Sequence, residues 1–279
     1  MNTKSRMKDQ YLSITNLIFQ IYGIDISKYD VSFLNNSIQK RIADTFCDSL
    51  ATYYIYLEQS YLERELFIDS LQVNYSEFFR NTYTFAILER IILPTIFNQK
   101  KASKQKEIRI WSSACASGQE TYSLAILLNE LNQNSSEDVN FRIFATDYSE
   151  FQVNEAKKGQ YSIENLQHVN LKRFNHWFVN QGNKYSVKEE LKASIDFSMF
   201  DLLNEDLSCP STSIFGDFDI VMCANLLFYY TPAYQKKIIN KAINSLNTNG
   251  YLITSETERE ILLGLNLEEV FPLSGIFRK

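Results

Sequence analysis

"IRIWSSACASGQETYSLAILLNE", Ile108 to Glu130, changes its hydrophobic period half-way along. The opening residues form a short apolar run of the kind that fills a buried strand. Small and polar residues follow, and beyond Glu120 the apolar positions recur at helical intervals. Strand, tight turn and helix is the order in which an open α/β sheet brings backbone close to a ligand, beyond the carboxyl end of the strand. The turn contains a single glycine, so the full glycine fingerprint of a dinucleotide loop is missing. Ala114, Ala116 and Ser117 still leave the backbone approachable, and Gly118 offers the position where a positive φ is easiest. Small residues in such a turn also suit close packing alone, and both readings stand on this stretch by itself.

The alternation repeats downstream. "NFRIFATD", "IDFSMFD", "FDIVMCAN" and "GYLITSE" are short apolar or β-branched runs, with amphipathic helical stretches such as "AYQKKIINKAINSLN" between several of them. This pattern implies an α/β fold, a parallel and doubly wound sheet. One segment interrupts it, at about 165–193. There the turn signal "NQGNK" separates two strand-like pieces, which predicts an inserted subdomain with a β-hairpin. Within that insertion "HVNLKRF" reads as a solvated helix face.

Upstream, from Tyr11 to about Leu71, apolar residues fall at three- and four-residue intervals, as in "YLSITNLIFQIYG" and "FLNNSIQKRIADTF". Gly23 closes the first helix and Asp30 or Ser32 can cap the next. The expected organisation is an N-terminal helical domain over 1–71, a linker with a connecting helix over 72–107, and the sheet domain over 108–279. The Lys-rich "NQKKASKQKE" reads as a solvated turn.

Composition narrows the function classes. A net charge of -5 offers no basic excess for a nucleic-acid partner. Cys47, Cys115, Cys209 and Cys223 lie far apart without a C-x-x-C pair, which fits neither a disulfide framework nor a metal site, and suggests a reducing cytoplasm. No run of about 18 uninterrupted apolar residues occurs, so neither export nor membrane insertion is expected.

Chemistry is suggested first by Asp147, at the end of "FRIFATD" and about 30 residues beyond the small-residue turn. A carboxylate there can accept both hydroxyls of a ribose, having two acceptor oxygens and no competing donor. Capping of the following helix explains the same residue, and the two roles are compatible. Cys115 as a thiol nucleophile has no nearby base: His168 and His176 both fall in the insertion. Taken alone, Arg80 fits a surface or interdomain ion pair, and Tyr229 and Tyr230 fit core or rim aromatics.

Taken together, "NYSEFFRNTYTF", "IWSSACASGQETYSLA", "FATDYSEFQVNEAKKGQYS", "FDLL", "FDIVMCANLLFYY" and "NTNGYLITSETE" resemble, in this order, the CheR methyltransferases, over nearly the whole chain. That family uses S-adenosylmethionine to methylate glutamate side chains of chemotaxis receptors. The resemblance implies a class I methyltransferase sheet, S-adenosylmethionine as cofactor and S-adenosylhomocysteine as product. Ser76 and Arg80 would lie beside the methionyl part of the cofactor, with Arg80 also near the acceptor. Ala114, Ser117 and Gly118 would form the loop, Glu120 would be its acid, and Asp147 the ribose acid. Asp201 and Leu202 would contact adenine, Asn225 and Leu226 would line the cofactor, and Tyr229 would face the transferred methyl.

The implied partner is the cytoplasmic domain of a chemoreceptor, met by a cytoplasmic monomer. Departures from the family pattern are Gln119 for an acid, Thr121 for proline, Ala224 for arginine, and "TSETE" for glycine-histidine-serine-glutamate. The family's receptor-facing helix is strongly basic, whereas "QKRIADTF" offers little beyond Lys40 and Arg41. Besides receptor methylation, a cofactor-sensing binding module or a methyltransferase with another acceptor remains open.

Overall fold

The computed structural model describes residues 3–72, 75–103, 107–213 and 216–279. The chain divides into two compact units, 1–73 with 228–235, and 74–227 with 236–279.

The first unit holds four helices, α1 (Thr3–Tyr22), α2 (Val31–Asp44), α3 (Leu50–Gln59) and α4 (Tyr61–Ser70). Their apolar stripes meet in a core that includes Ile14, Ile18, Ile38, Tyr53, Leu57 and Phe67. The caps follow from the sequence. Gly23 takes a left-handed φ of 68° after α1, and of the two candidate caps Asp30 is the one used, accepting from the N–H of Ser32 at 2.8 Å. Ser49 and Thr52 form a reciprocal capping box at α3. Glu63 is buried in this core and accepts from Arg41 through Nε at 2.8 Å and Nη2 at 2.6 Å, and from the Tyr53 hydroxyl at 2.9 Å. Residues 228–235 join this unit through the backbone: Asp30 donates to the Tyr229 carbonyl at 2.8 Å, and Tyr29 bridges Tyr230.

The second unit begins with a continuous helical stretch, α5 (Thr82–Ile87), a wide π turn over Leu88–Ile92 and α6 (Leu93–Ala102). Pro94 has no N–H to give to the preceding turn, and the helix widens just before it. Phe85, Leu88, Ile92, Leu93, Ile96 and Phe97 are buried in the same core as the sheet. Residues 82–102 therefore form an integral layer of this unit, where a linker with a connecting helix was expected. The Lys-rich turn is also partly structural: α6 continues through it to Ala102, and Lys100 pairs with buried Asp219 at 2.9 Å.

The chain then alternates: β1 (Glu107–Ser112), α7 (Gln119–Gln133), β2 (Asn140–Asp147), α8 (Glu150–Lys158), β3 (Gln160–Tyr161), α9 (Leu171–Trp177), β4 (Phe178–Asn180), β5 (Tyr185–Val187), α10 (Glu189–Lys192), β6 (Ile195–Met199), β7 (Phe218–Met222), α11 (Pro232–Ser245), β8 (Leu246–Ile253), α12 (Arg259–Leu262), β9 (Glu268–Glu269) and β10 (Ile276–Arg278). The main sheet runs β6-β2-β1-β7-β8-β10-β9. From β6 to β8 all neighbours are parallel, as the alternating pattern implies, and β10 and β9 close the edge antiparallel. Ile108 and Ile110 join the core with α5 to α7, while Trp111 points the other way, its ring centroid 5.5 Å from that of Phe200 and 5.6 Å from that of Phe218. Burial on both faces explains why these strands read as nearly continuous apolar runs.

The insertion is a three-stranded sheet, β3-β5-β4, in which β4 and β5 form the hairpin across "NQGNK". "HVNLKRF" is not simply solvated. Arg173 is buried, donating to Glu130 at 2.7 Å and Glu89 at 2.6 Å, and its guanidinium lies 4.8 Å from the centre of the Phe79 ring. Among the described residues no helix is long and apolar enough to cross a membrane.

Candidate active site

The chain runs from β1 outward to β2 and β6, then returns to the other side of β1 for β7 and β8. That reversal opens a crevice at the carboxyl ends of the parallel strands, where such sheets bind ligands. The turns after β1, β2, β6 and β7 carry the residues from Ala114 to Leu226 that the sequence pattern singled out.

The turn after β1 is held from three directions. Ser113 donates through N–H at 3.0 Å and Oγ at 2.8 Å to the carbonyl of Met222, and Cys115 N–H donates to the carbonyl of Thr146 at 2.9 Å. The Tyr161 hydroxyl reaches the carbonyl of Ser117 at 2.7 Å. Ala116 has φ 45° and Gly118 φ 93°, so the turn passes twice through left-handed backbone before α7. A Cβ on Gly118 would also lie 3.0 Å from that of Ala156, so this glycine serves packing as well as conformation.

Asp147 binds this turn to the next one. One carboxyl oxygen accepts from Ala116 N–H and the other from Ser149 N–H, both at 2.9 Å. Burial raises its pKa, and the N–H groups of Ser149, Ala116 and Tyr148 pull in the opposite direction. The cap of α8 is Ser149, not Asp147. With about four acceptor positions and three N–H donors, the Asp147 carboxylate retains acceptor capacity for a ligand hydroxyl. Phe200 N–H donates to the Asp147 carbonyl at 3.0 Å, which brings Asp201 and buried Leu202 alongside; the Asp201 side chain itself accepts from Leu203 N–H at 2.8 Å.

Glu120 stands in the first turn of α7. Burial pushes it up to about 7; the Ser112 hydroxyl, donating at 2.9 Å, lowers it, nearby Glu258 raises it and Arg80 lowers it. Thr121 donates to the Ser112 hydroxyl at 3.2 Å, so a relay of hydroxyls ends on this carboxyl. Arg80 is held between two residues with left-handed backbone, Phe79 at φ 51° and Asn81 at φ 57°. Phe79 N–H donates to Ser123 of α7 at 2.9 Å, which docks the Arg80 segment against the helix that carries Glu120. The Arg80 guanidinium donates to the Tyr75 carbonyl at 3.3 Å and lies over the Tyr75 ring. Ser76 shares a cavity of about 270 Å³ with Ser117, Gln119, Gln152, Tyr161 and Asn165.

Asn225 and Leu226 follow β7, with Asn225 at φ 59°. Their N–H groups, and that of Leu227, donate at 2.6 Å to Glu258, the last residue of "TSETE", to which the sequence reading gave no role. The signal for it was present: "SETE" has the S-x-x-E spacing of a capping box, which Ser255 and Glu258 form. Tyr229 belongs to the other unit, where its ring packs edge-on against Phe33 at 4.9 Å and lies 4.2 Å from the ring of Phe228. Burial raises the pKa of both Cys115 and Cys223, the opposite of what a thiolate nucleophile needs.

Asp147, bonded to the turn after β1, and Glu120, just beyond that turn, offer carboxyls suited to a ligand that carries a diol and positive charge, although neither lines the cavity of about 270 Å³. Models of the CheR methyltransferase family match this chain twice, the S-adenosylmethionine-binding domain over residues 74–266 and the all-alpha domain over 9–71. The chain belongs to the CheR methyltransferase family. It is 28% identical over 270 residues to a chemotaxis protein methyltransferase of Borreliella burgdorferi, covering 95% of this chain and 93% of that one. It is 30% identical over 199 residues to chemotaxis protein methyltransferase 1 of Pseudomonas aeruginosa, covering 70% and 69%. The Vibrio parahaemolyticus chemotaxis protein methyltransferase is 31% identical over 194 residues, covering 68% and 66%.

The cofactor of this CheR chain is S-adenosylmethionine, and the chemistry of the residues present fits it: carboxyls that can accept from hydroxyls or an ammonium, and no bulky side chain in the turn from Ala114 to Gly118. Two departures from the family pattern are put to use. Gln119 accepts from the Ser117 hydroxyl at 2.9 Å, and Thr121 supplies the head of the relay to Glu120. A third difference concerns the helical unit. Arg41 of α2 points into the core at Glu63, with 14% of its side chain exposed, and so adds little positive surface.

Proposed function

We propose that this CheR chain transfers a methyl group from S-adenosylmethionine to glutamate side chains on the cytoplasmic domain of chemotaxis receptors, leaving glutamyl methyl esters. Both family domains span most of the chain, and the adenosyl-type crevice supports this reading most directly. When bound, the cofactor supplies a methyl group on a positively charged sulfur, which leaves as a neutral thioether with the bonding pair. The acceptor glutamate, with an ordinary pKa near 4.3, is already ionised at neutral pH and needs no protein base. Catalysis is therefore a matter of alignment in a site sheltered from water.

Each residue has a place in that alignment. Asp147 takes the ribose hydroxyls, Asp201 and Leu202 the adenine, and Ser76, Glu120 and the turn Ala114–Gly118 the methionyl end. Asn225 and Leu226 line the cofactor. Arg80 orients the acceptor carboxylate; a tighter ion pair would blunt the nucleophile, so its role is orientation. The family resemblance matches Tyr229 to the aromatic residue that faces the transferred methyl, which makes it the candidate on the acceptor side. The protein works in the cytoplasm as a monomer, without nucleic acid.

The test is incubation with receptor preparations and methyl-labelled cofactor, followed by mild alkali. Volatile labelled methanol is the expected product. Label that survives on lysine or cysteine would overturn the glutamate assignment, and cofactor binding without any transfer would leave a sensing module instead.

A further inference from the structure

We propose that Glu258 is a positioning residue, whose buried carboxyl sets the backbone from Asn225 to Leu227 and thereby the affinity for the cofactor. The proposal rests on the reading that Asn225 and Leu226 line the cofactor. Glu258 has 0% of its surface exposed. One oxygen accepts from Leu226 and Leu227 N–H; the other accepts from Asn225 N–H, from Ser255 N–H at 3.1 Å and from Ser255 Oγ at 2.6 Å. Among the described residues no basic side chain pairs with it. A carboxyl taken out of water without a cation is costly unless its lone pairs are filled, and here five donors fill them.

Three consecutive N–H groups turned onto one acceptor form a concave nest, a geometry that requires a local reversal of the backbone. Asn225, a non-glycine residue at φ 59°, supplies that reversal. The loop after β7 is thus tied to the loop after β8, itself fixed where Thr254 N–H donates to the Gly275 carbonyl at 2.8 Å. Without the acceptor, three N–H groups, that of Leu227 buried and the other two half-buried, would lose their common partner, and Asn225 would have no reason to keep a disfavoured conformation. The cofactor-facing side of the loop would then be sampled instead of presented.

The experiment uses the full chain. Titration calorimetry with S-adenosylhomocysteine is run on wild type, Glu258→Gln and Ser255→Ala, alongside initial rates at varied S-adenosylmethionine. Glutamine keeps the shape but puts an NH2 where an acceptor is needed. Glu258→Gln should raise Kd and the KM for S-adenosylmethionine at least tenfold, leave the KM for receptor within about twofold, and change kcat less than KM. Ser255→Ala removes one donor and leaves the nest intact, so it should fold and raise Kd by a few-fold; it decides the matter if Glu258→Gln does not fold. A purely structural role would reduce the active fraction and the melting temperature with Kd and KM unchanged, and that result overturns the proposal. No binding by wild type would remove the cofactor reading and this proposal together, whereas normal wild-type binding with unchanged variants removes only the role of Glu258.

Discussion

Glu120 offers the sharpest check on the cofactor reading, because its ionisation falls in an accessible pH range. Burial holds it at about 7, so in the folded chain it keeps its proton well above the ordinary glutamate value near 4.3. The sign follows by linkage. The folded state binds more protons than the unfolded state between those values, so this residue contributes a loss of stability as pH rises through them, and a bound cation offsets that loss. A ligand whose ammonium group needs the carboxylate must therefore bind more tightly as pH rises. With a midpoint of about 7, roughly 3% of Glu120 is ionised at pH 5.5 and about half at pH 7.0, an increase of about fifteenfold in the competent form. Stopping at pH 7.0 keeps the ligand's own α-amine protonated, since the amine of a free amino acid titrates above the roughly 7.7–8.0 of a chain terminus.

The assay is calorimetric titration with S-adenosylhomocysteine across that range for wild type and Glu120→Gln. Wild-type affinity should rise on the order of tenfold. The variant should bind more weakly at pH 7.0 and lose most of the slope, keeping whatever part belongs to Asp147, whose pKa burial also raises. Equal slopes in the two proteins would refute the placement of Glu120 at the cationic end of the cofactor. A falling wild-type affinity would refute the sign of the charge relationship.

Other outcomes follow from the same geometry. Asp147→Ala should weaken both S-adenosylmethionine and S-adenosylhomocysteine by about 1–3 kcal/mol, since it removes a ribose acceptor and the partner of Ala116 N–H; equal calorimetric affinities would take Asp147 out of the site. Arg80→Ala should lower turnover about 100-fold by misplacing the acceptor, with a smaller change in cofactor affinity, while Tyr229→Phe should cost less than about tenfold because the ring is retained; initial-rate kinetics on receptor would reveal a reversed order. Glu63→Ala should destabilise the helical unit by about 3–5 kcal/mol, because it leaves the mostly buried Arg41 guanidinium and the Tyr53 hydroxyl without their shared acceptor; a denaturation shift below about 1 kcal/mol would contradict that.

How much of this could be read in advance depends on the range of the interaction. Local signals travelled well. The change of period within Ile108–Glu130 announces a strand, a turn and a helix, and the helical stripes of the first 71 residues announce a bundle, because periodicity records which face of each element is buried. The ordered set of family motifs likewise lies in the residues themselves. Tertiary structure decided what depends on residues distant along the chain. Glu258 meets Asn225 from 33 residues away, and Arg173 meets Glu89 from 84 away, pairings that no periodicity encodes. Residues 82–102 look like a connector because a helix reads the same whether it joins two domains or forms a layer of one. Arg41 looks like receptor-facing charge because a one-dimensional pattern shows which residues can ionise, and not which buried acid of another helix has already claimed them.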